Sequence, residues 1–395
     1  MQPAAAALHA SARPRIPIAR VLEFLVELVG NDMHAKRILS IANATVGVIA
    51  SGVLGVTAIG KGLAAVRGVE AKHATKQVDR LLSNLGVDLD MLQARWVEFL
   101  LGDVTEAWVN VDWTDADADD QTTLVASLQE DRGRSSPLMW VTVKKSELKE
   151  QKFAHVESLL ARLRAAVPTP TRRVFIVADR EFGNRTMYGI LDALRFDYVL
   201  RFRQDVHVTS WDGETRPAAE WQRGTGKLRS MMSASVTVDE HRVGKVVIVR
   251  DAKMKDTWCL AASDPDLDPK VIKARYGRRF QTEETFRDLK DPRFGMGLRY
   301  CSIGAPARRD KMLLLGVLAQ AMLTLLGIAG ERCGLDRYLK TNTSKERQHS
   351  LLRQGGMWYD LIPNMKQDRL DVLMAAFHEV AHEHGMFRLL AGEAK

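Results

Sequence analysis

Between residues 104 and 203 the apolar positions follow two periods in a definite order, and that order leaves few folds open. WVNVDW (108–113), TLVASLQ (123–129) and LMWVTVK (138–144) alternate or run β-branched, as strands do, with short turns between them. LKEQKFAHVESLLARLRAAV (148–167) has the spacing of an amphipathic helix and is stopped by Pro168 and Pro170. RRVFIVAD (172–179) reads as a buried strand that ends on an aspartate. A second helix at 184–195 and a strand at YVLRFR (198–203) follow.

Three strands, a helix, a strand, a helix and a strand form the order of a ribonuclease-H-like core. Residues 204–263 then bring turn signals and further strands, notably SASVTVD and KVVIVRD. Beyond them the pattern is helical, with a loop at DPRFGMG (291–297). The expectation is an α/β chain whose ribonuclease-H-like core (104–203 and 264–330) is interrupted by a β-rich insertion (204–263). A helical N-terminal region (1–103) and a helical C-terminal region (331–395) flank it. A chain of 395 residues is long for one hydrophobic core, which agrees with several regions.

Lys and Arg outnumber Asp and Glu by 57 to 49, and the pI is near 9.4, a surplus that suits a polyanionic partner. The charge is uneven. Residues 101–131 hold nine acids and no Lys or Arg. An acidic pocket in a basic chain is what a metal-dependent nucleic-acid enzyme requires. The N-terminal stretch 54–84 reads as a helix, a turn near Arg67-Gly68 and a second helix with Lys72, His73, Lys76 and Arg80 on its polar side. That outlines a helix-turn-helix, in which such residues meet phosphates and base edges; two packed helices with a solvated face share the pattern.

Cys259, Cys301 and Cys333 are odd in number and form no CxxC pair, which argues against a disulfide framework or structural zinc and fits a reducing cytoplasm. The first twenty residues place arginines after an alanine run, the wrong order for a secretory signal, although their lack of acids suits a transit peptide. MLLLGVLAQAMLTLLGIAG (312–330) reaches the roughly 20 residues a membrane span needs, and is read here as the buried helix of a large core, with no membrane partner.

Three carboxylates stand where chemistry would need them. Asp112 closes the first strand and Asp179 the fourth, and strand ends hold a side chain on fixed backbone at a cleft. Glu283, on a later helix crossing the same sheet edge, is the third candidate. Carboxylate oxygens suit Mg²⁺ or Mn²⁺, and two such ions roughly 3.5–4 Å apart activate an attacking oxygen and stabilise a leaving one. If YGRRFQTEETFRDLK (276–290) is one helix, Tyr276, Arg279, Glu283 and Lys290 share a stripe about 60° wide, with Arg287 beside it. Arg279, Arg287 and Lys290 would then meet a DNA backbone.

The spacing Y-x2-R-x3-E-x6-K resembles the signature of one family of bacterial insertion-sequence transposases, the cut-and-paste DDE type. The likeness extends through EETFRDLK, PRFGMGLR, VDWTD, ADREF and QVDRLLSN, and is similar to the branch found in composite tetracycline-resistance elements. The resemblance implies that Asp112, Asp179 and Glu283 bind two Mg²⁺ ions, with Mn²⁺ able to substitute. It implies that Tyr276, Arg279 and Lys290 hold the DNA end during hairpin formation and resolution. Trp258, in TWCLAAS, stands where the family has a tryptophan stacking on a flipped base, ahead of Trp211 and Trp221. Double-stranded DNA (terminal inverted repeats and target), a homodimeric synapse and a nucleoid-associated cytoplasmic location follow from the same likeness.

Other motifs carry less. FHEVAHEH contains HExxH, with His378 and His382 one helical turn apart and Glu379 between, but little chain follows to supply a third zinc ligand. DADADD (115–120) begins like a calcium loop, yet Asp120 and Ala126 stand where Gly and Glu are needed; Asp115 fits the strand end less well than Asp112. No GxxxxGK[ST] phosphate loop is present.

Overall fold

The computed structural model describes residues 16–391 except 103, 117, 118, 169–172, 223, 238 and 253. The signal and transit-peptide readings of the first fifteen residues, and the stop at Pro170, fall outside them. The chain forms two compact units, residues 96–286 and residues 1–95 with 287–395.

Four helices open the chain: α1 (Ile18–Val29), α2 (Ala35–Ser51), α3 (Val56–Arg67) and α4 (Ala71–Ser83), and α5 (Leu89–Leu101) leads into the second unit. The expected helix, turn and helix of 54–84 are α3 and α4. Gly68, at φ +64°, ends α3 by donating its N–H to Ala64 O, a left-handed turn that glycine adopts without strain. On α4, Ala74, Val78, Leu81 and Leu82 are buried, whereas Lys72, His73, Lys76 and Arg80 are exposed. The helices cross closely at Gly60, where a Cβ would lie 2.5 Å from Thr75 Cα.

The second unit is built on β1 (Glu106–Thr114), β2 (Gln121–Gln129), β3 (Ser135–Lys144), β4 (Arg173–Ala178) and β5 (Asp197–Phe202), with α6 (Lys152–Ala166) before β4 and α7 (Arg185–Ala193) before β5. β1, β2 and β3 pair antiparallel, while β1 with β4 and β4 with β5 pair parallel. The order β3-β2-β1-β4-β5 is that of a ribonuclease-H-like fold, as expected.

Residues 204–263 divide their strands between two sheets. β6 (His207–Thr209), β7 (Thr215–Pro217), β9 (Ser235–Val236) and β10 (His241–Arg242) form a sheet of their own, ordered β10-β9-β6-β7. β8 (Arg229–Met232), β11 (Lys245–Val249) and β12 (Trp258–Ala262) continue the core sheet beyond β5 to eight strands. The core beneath stacks Trp108 on Phe175, ring centroids 4.1 Å apart, with Val199, Val247, Leu260, Ile272 and Tyr276 around them.

The stretch 276–290 is not the single helix its pattern suggested. Helix α8 (Pro269–Gly277), capped by the Asp268 carboxylate on Lys270 N–H, ends, and α9 (Phe280–Lys290) begins after a turn at Arg278 and Arg279. Gln281 and Thr282 donate N–H to Arg278 and Arg279 three residues back, and Arg278 O also faces Asn110 Nδ2 at 3.4 Å. A tertiary partner therefore competes for a carbonyl that a continuous helix would use. Tyr276 and Glu283 thus belong to two helices separated by a turn.

Among the described residues, α10 (Pro306–Arg332) is the one single helix long and apolar enough to cross a membrane, and 89% of its most apolar 18 residues are buried inside the protein. It packs within its unit against α2, α4, α11 (Leu351–Leu361) and α12 (Gln367–His382). Lys311 Nζ donates to Asn84 O at 2.7 Å, capping the C-terminal end of α4 as a cation does best.

Gly60→Ala should lower stability by about 1–3 kcal/mol, because α3 and α4 must part to admit a methyl group. The check is a lower urea midpoint at unchanged m-value.

Candidate active site

The parallel register of β1 and β4 pairs Val111 with Ala178, so Asp112 and Asp179 follow the last pair of that ladder on neighbouring chains. Asp179 stands just past the end of β4, whereas Asp112 does not close its strand as expected: β1 runs on to Thr114, with Asp112 paired to Val125 of β2. Asp179 accepts the Glu181 N–H at 2.9 Å on Oδ1 and the Phe182 N–H at 3.0 Å on its carbonyl, which turns the chain sharply after β4. Gly183 then lies flat on β5: a Cβ there would be 2.7 Å from Phe202 Cα. Asp112 accepts the N–H of Trp113 on Oδ1 at 2.9 Å and Arg279 Nη1 on Oδ2 at 2.8 Å. Arg279 Nη2 lies 3.2 Å from Glu283 Oε1. One guanidinium therefore bridges the strand carboxylate and the helix carboxylate.

Electrostatics tie the same groups together. Burial, opposed by Arg279 and aided by the nearby Asp179 and Glu283, raises the Asp112 carboxyl from 3.8 to about 6. Burial works against the charge of Arg279, but Tyr276, Asp112, Glu283 and Asp179 outweigh it and lift its pKa. Tyr276, 1% exposed, is pushed up by its burial against the pull of Arg279 and Arg201.

The donor set fits a hard divalent cation, because carboxylate oxygens are what Mg²⁺ and Mn²⁺ prefer, and Asp179 and Glu283 both act on the Asp112 carboxyl. As they stand, no three His, Cys, Asp or Glu side chains among the described residues close around a metal position. The Arg279 guanidinium lies between two of them instead.

The remaining expected residues are spread more widely. Trp258 opens β12, half-buried, with its ring edge-on to Tyr276 at 4.7 Å. Trp221 is buried between the Arg216 and Arg229 guanidiniums, and Trp211 is 80% exposed on the turn between β6 and β7. Arg287, whose guanidinium lies over Phe294 at 5.2 Å, and Lys290 belong to the unit that also holds Lys72, His73, Lys76 and Arg80.

Polar residues absent from the sequence reading hold α9 against the sheet. Asn110 Nδ2 donates to Thr282 Oγ1 at 3.0 Å, and Gln129 Nε2 donates to Asn110 Oδ1 at 2.7 Å and to Arg275 O at 2.9 Å. Thr285 Oγ1 receives Ser135 N–H and donates to Ser135 O, both at 2.9 Å. Gln281 Nε2 donates to Glu130 O at 2.6 Å and its Oε1 accepts Glu130 N–H at 3.2 Å. Asn110 and Asp112 share one face of β1, and Thr282 precedes Glu283, so this clasp spaces the two carboxylates. A polar residue inside an apolar strand, Asn110 in WVNVDW, was the available signal. Arg201, whose charge lowers the Tyr276 pKa, was equally unmarked; it lines a cleft of about 440 Å³ with Arg180, Arg203 and Asp256.

Thr282→Val should cost about 1–3 kcal/mol, the penalty for leaving Asn110 Nδ2 poorly paired in the interior. A urea titration reads it directly. The raised Asp112 carboxyl binds an extra proton in the folded chain between about pH 4 and 6. Its contribution to stability is complete below 3.8 and is lost as pH rises through about 6. Without divalent ions, thermal melts of the wild type should therefore fall relative to Asp112→Asn across that window.

Residues 133–319, just under half of the chain, match the family model of the transposase DDE domain. No curated protein matches the chain. The matched span includes Asp179, Tyr276, Arg279 and Glu283 but starts after Asp112, whose place beside Asp179 rests on strand register. The match implies DNA as partner and divalent metal ions as the class of cofactor. Joined to the ribonuclease-H-like sheet, it supports a place for this chain among the DDE transposases.

Proposed function

We propose that the chain is the transposase of a bacterial insertion sequence, acting in the cytoplasm on terminal inverted repeats and target DNA by cut and paste. The observation that supports the reading is the Arg279 guanidinium that bridges Asp112, on β1, and Glu283, on α9, with Asp179, just past β4, helping to raise the Asp112 carboxyl. The acids hold their oxygens on backbone that the sheet and the clasp immobilise. When bound there, two Mg²⁺ or Mn²⁺ ions supply activation of the attacking oxygen and stabilisation of the leaving one. Because cleavage, hairpin formation, hairpin opening and strand transfer are all in-line displacements at phosphorus, one site suits every step.

The surrounding residues orient the strand. Arg279, Arg287 and Lys290 neutralise phosphates, and Tyr276 and Trp258 form an aromatic pair at the site margin. Stacking of an extruded base on the half-buried face of Trp258 contributes about 1–3 kcal/mol toward a hairpin geometry. The exposed cations of α4, Lys72, His73, Lys76 and Arg80, read the element end. The region 1–103 is assigned to end binding, 104–203 and 264–330 to catalysis, 204–263 to the hairpin, and 331–395 to dimerisation in a synapse.

Asp112→Ala, Asp179→Ala and Glu283→Ala should each abolish Mg²⁺-dependent nicking at the element's own ends while leaving gel-shift affinity for those ends in place. Retention of nicking in any one of them defeats the assignment of that residue. Binding by the wild type without any nicking reduces the protein to a DNA-binding relative.

A further inference from the structure

We propose that Arg279 is a positioning residue that acts as an internal cation, holding Asp112 and Glu283 until a divalent ion takes its place. The inference rests on the reading of the three acids as metal ligands. Its basis is atomic. Asp112 Oδ1 is engaged by the Trp113 N–H, so Oδ2 is the oxygen best disposed toward a metal, and Oδ2 is the one that Arg279 Nη1 holds at 2.8 Å. The second arm of the same guanidinium lies against Glu283 at 3.2 Å. A divalent ion and Arg279 therefore compete for the same carboxylate oxygens.

Two further features favour exchange over permanent pairing. The Arg279 side chain is only 11% exposed, and its Nε is buried with no acceptor among the described residues. An Arg placed to stay would have that donor satisfied. The exit is open as well. Glu283 is 53% exposed on its side chain, and the neighbouring Phe280 ring, 5.1 Å from the guanidinium, is 47% exposed. Once displaced, the guanidinium stands beside the metal position with its fork free for a phosphate, so metal loading and grip on the DNA backbone are coupled.

The test is Mn²⁺ binding to the full-length protein at pH 8, followed by electron paramagnetic resonance of the free ion, with thermal melts in parallel. Arg279→Gln should bind Mn²⁺ roughly tenfold tighter than wild type, because the ion no longer displaces a charge-assisted hydrogen bond. It should also show the larger rise in Tm on Mn²⁺ addition. Arg279→Lys, a point charge unable to fork across both acids, should fall between them. Asp112→Asn combined with Glu283→Gln should bind Mn²⁺ weakly. If that double variant loses the ion while Arg279→Gln binds no more tightly than wild type, Arg279 is no competitor and the metal reading stands. If the double variant binds Mn²⁺ as wild type does, both fall. Should Arg279→Gln not fold, the wild-type structure determined with Mn²⁺ decides: an intact Arg279–Asp112 contact beside the ion overturns the proposal.

Discussion

The parallel pairing of β1 with β4 is the constraint on which the rest of this unit depends. Parallel neighbours cannot be joined by a hairpin; the intervening chain must make β2, β3 and α6 before it returns. That detour is stabilised by burial, since Val109, Val111, Ile176 and Ala178 are all fully enclosed. Both faces of β1 and β4 are buried along their shared ladder, so a slip of one residue would force Trp108, Asn110 and the small or branched residues between them into packing made for another side chain. The register is therefore rigid, and with it the adjacency of Asp112 and Asp179. Two acids that would repel one another are held side by side by an apolar sheet that has no tolerance for separating them.

The third acid arrives by different physics. α9 carries little apolar surface, with Phe286 and Leu289 its buried hydrophobic residues. Hydrophobic burial alone would leave its rotation and register loosely specified. Hydrogen bonds between Asn110, Glu130 and Ser135 on one side and Gln281, Thr282 and Thr285 on the other remove that freedom, because each is directional and several are buried. The same bonds draw on Arg278 O and break the helix just before Arg279, which sends that side chain toward Asp112. The clasp, the helix break and the arginine bridge thus form a single arrangement.

Much of this was legible in particular residues. WVNVDW, TLVASLQ and LMWVTVK announced their strands because a half-buried or buried strand must alternate or run apolar, and RRVFIVAD announced its burial by having no polar interruption before Asp179. The turn at Arg67-Gly68 was legible because a left-handed residue ending a helix favours glycine. The stripe of 276–290 misled, because angular periodicity assumes an unbroken axis and the competitor for Arg278 O comes from a strand more than a hundred residues earlier. Tyr276, grouped with charged residues by its spacing, is a core residue packed on Ile272 and Trp258. Among the tryptophans, exposure separates three residues that composition alone treats alike.

By itself the sequence determined the order of strands and helices, the presence of three acids at places where a fixed backbone could present them, and a surplus of cations suited to DNA. These are local properties, set by apolar period, turn chemistry and charge within a few residues. Only the tertiary structure decided that Asp112 and Asp179 stand on adjacent chains just past the last β1–β4 pair, that buried amides and hydroxyls set the place of Glu283, and that Arg279 lies between acids instead of facing outward. Those outcomes depend on contacts between residues far apart in the chain, where low-dielectric burial makes each hydrogen bond and ion pair strong enough to choose one geometry.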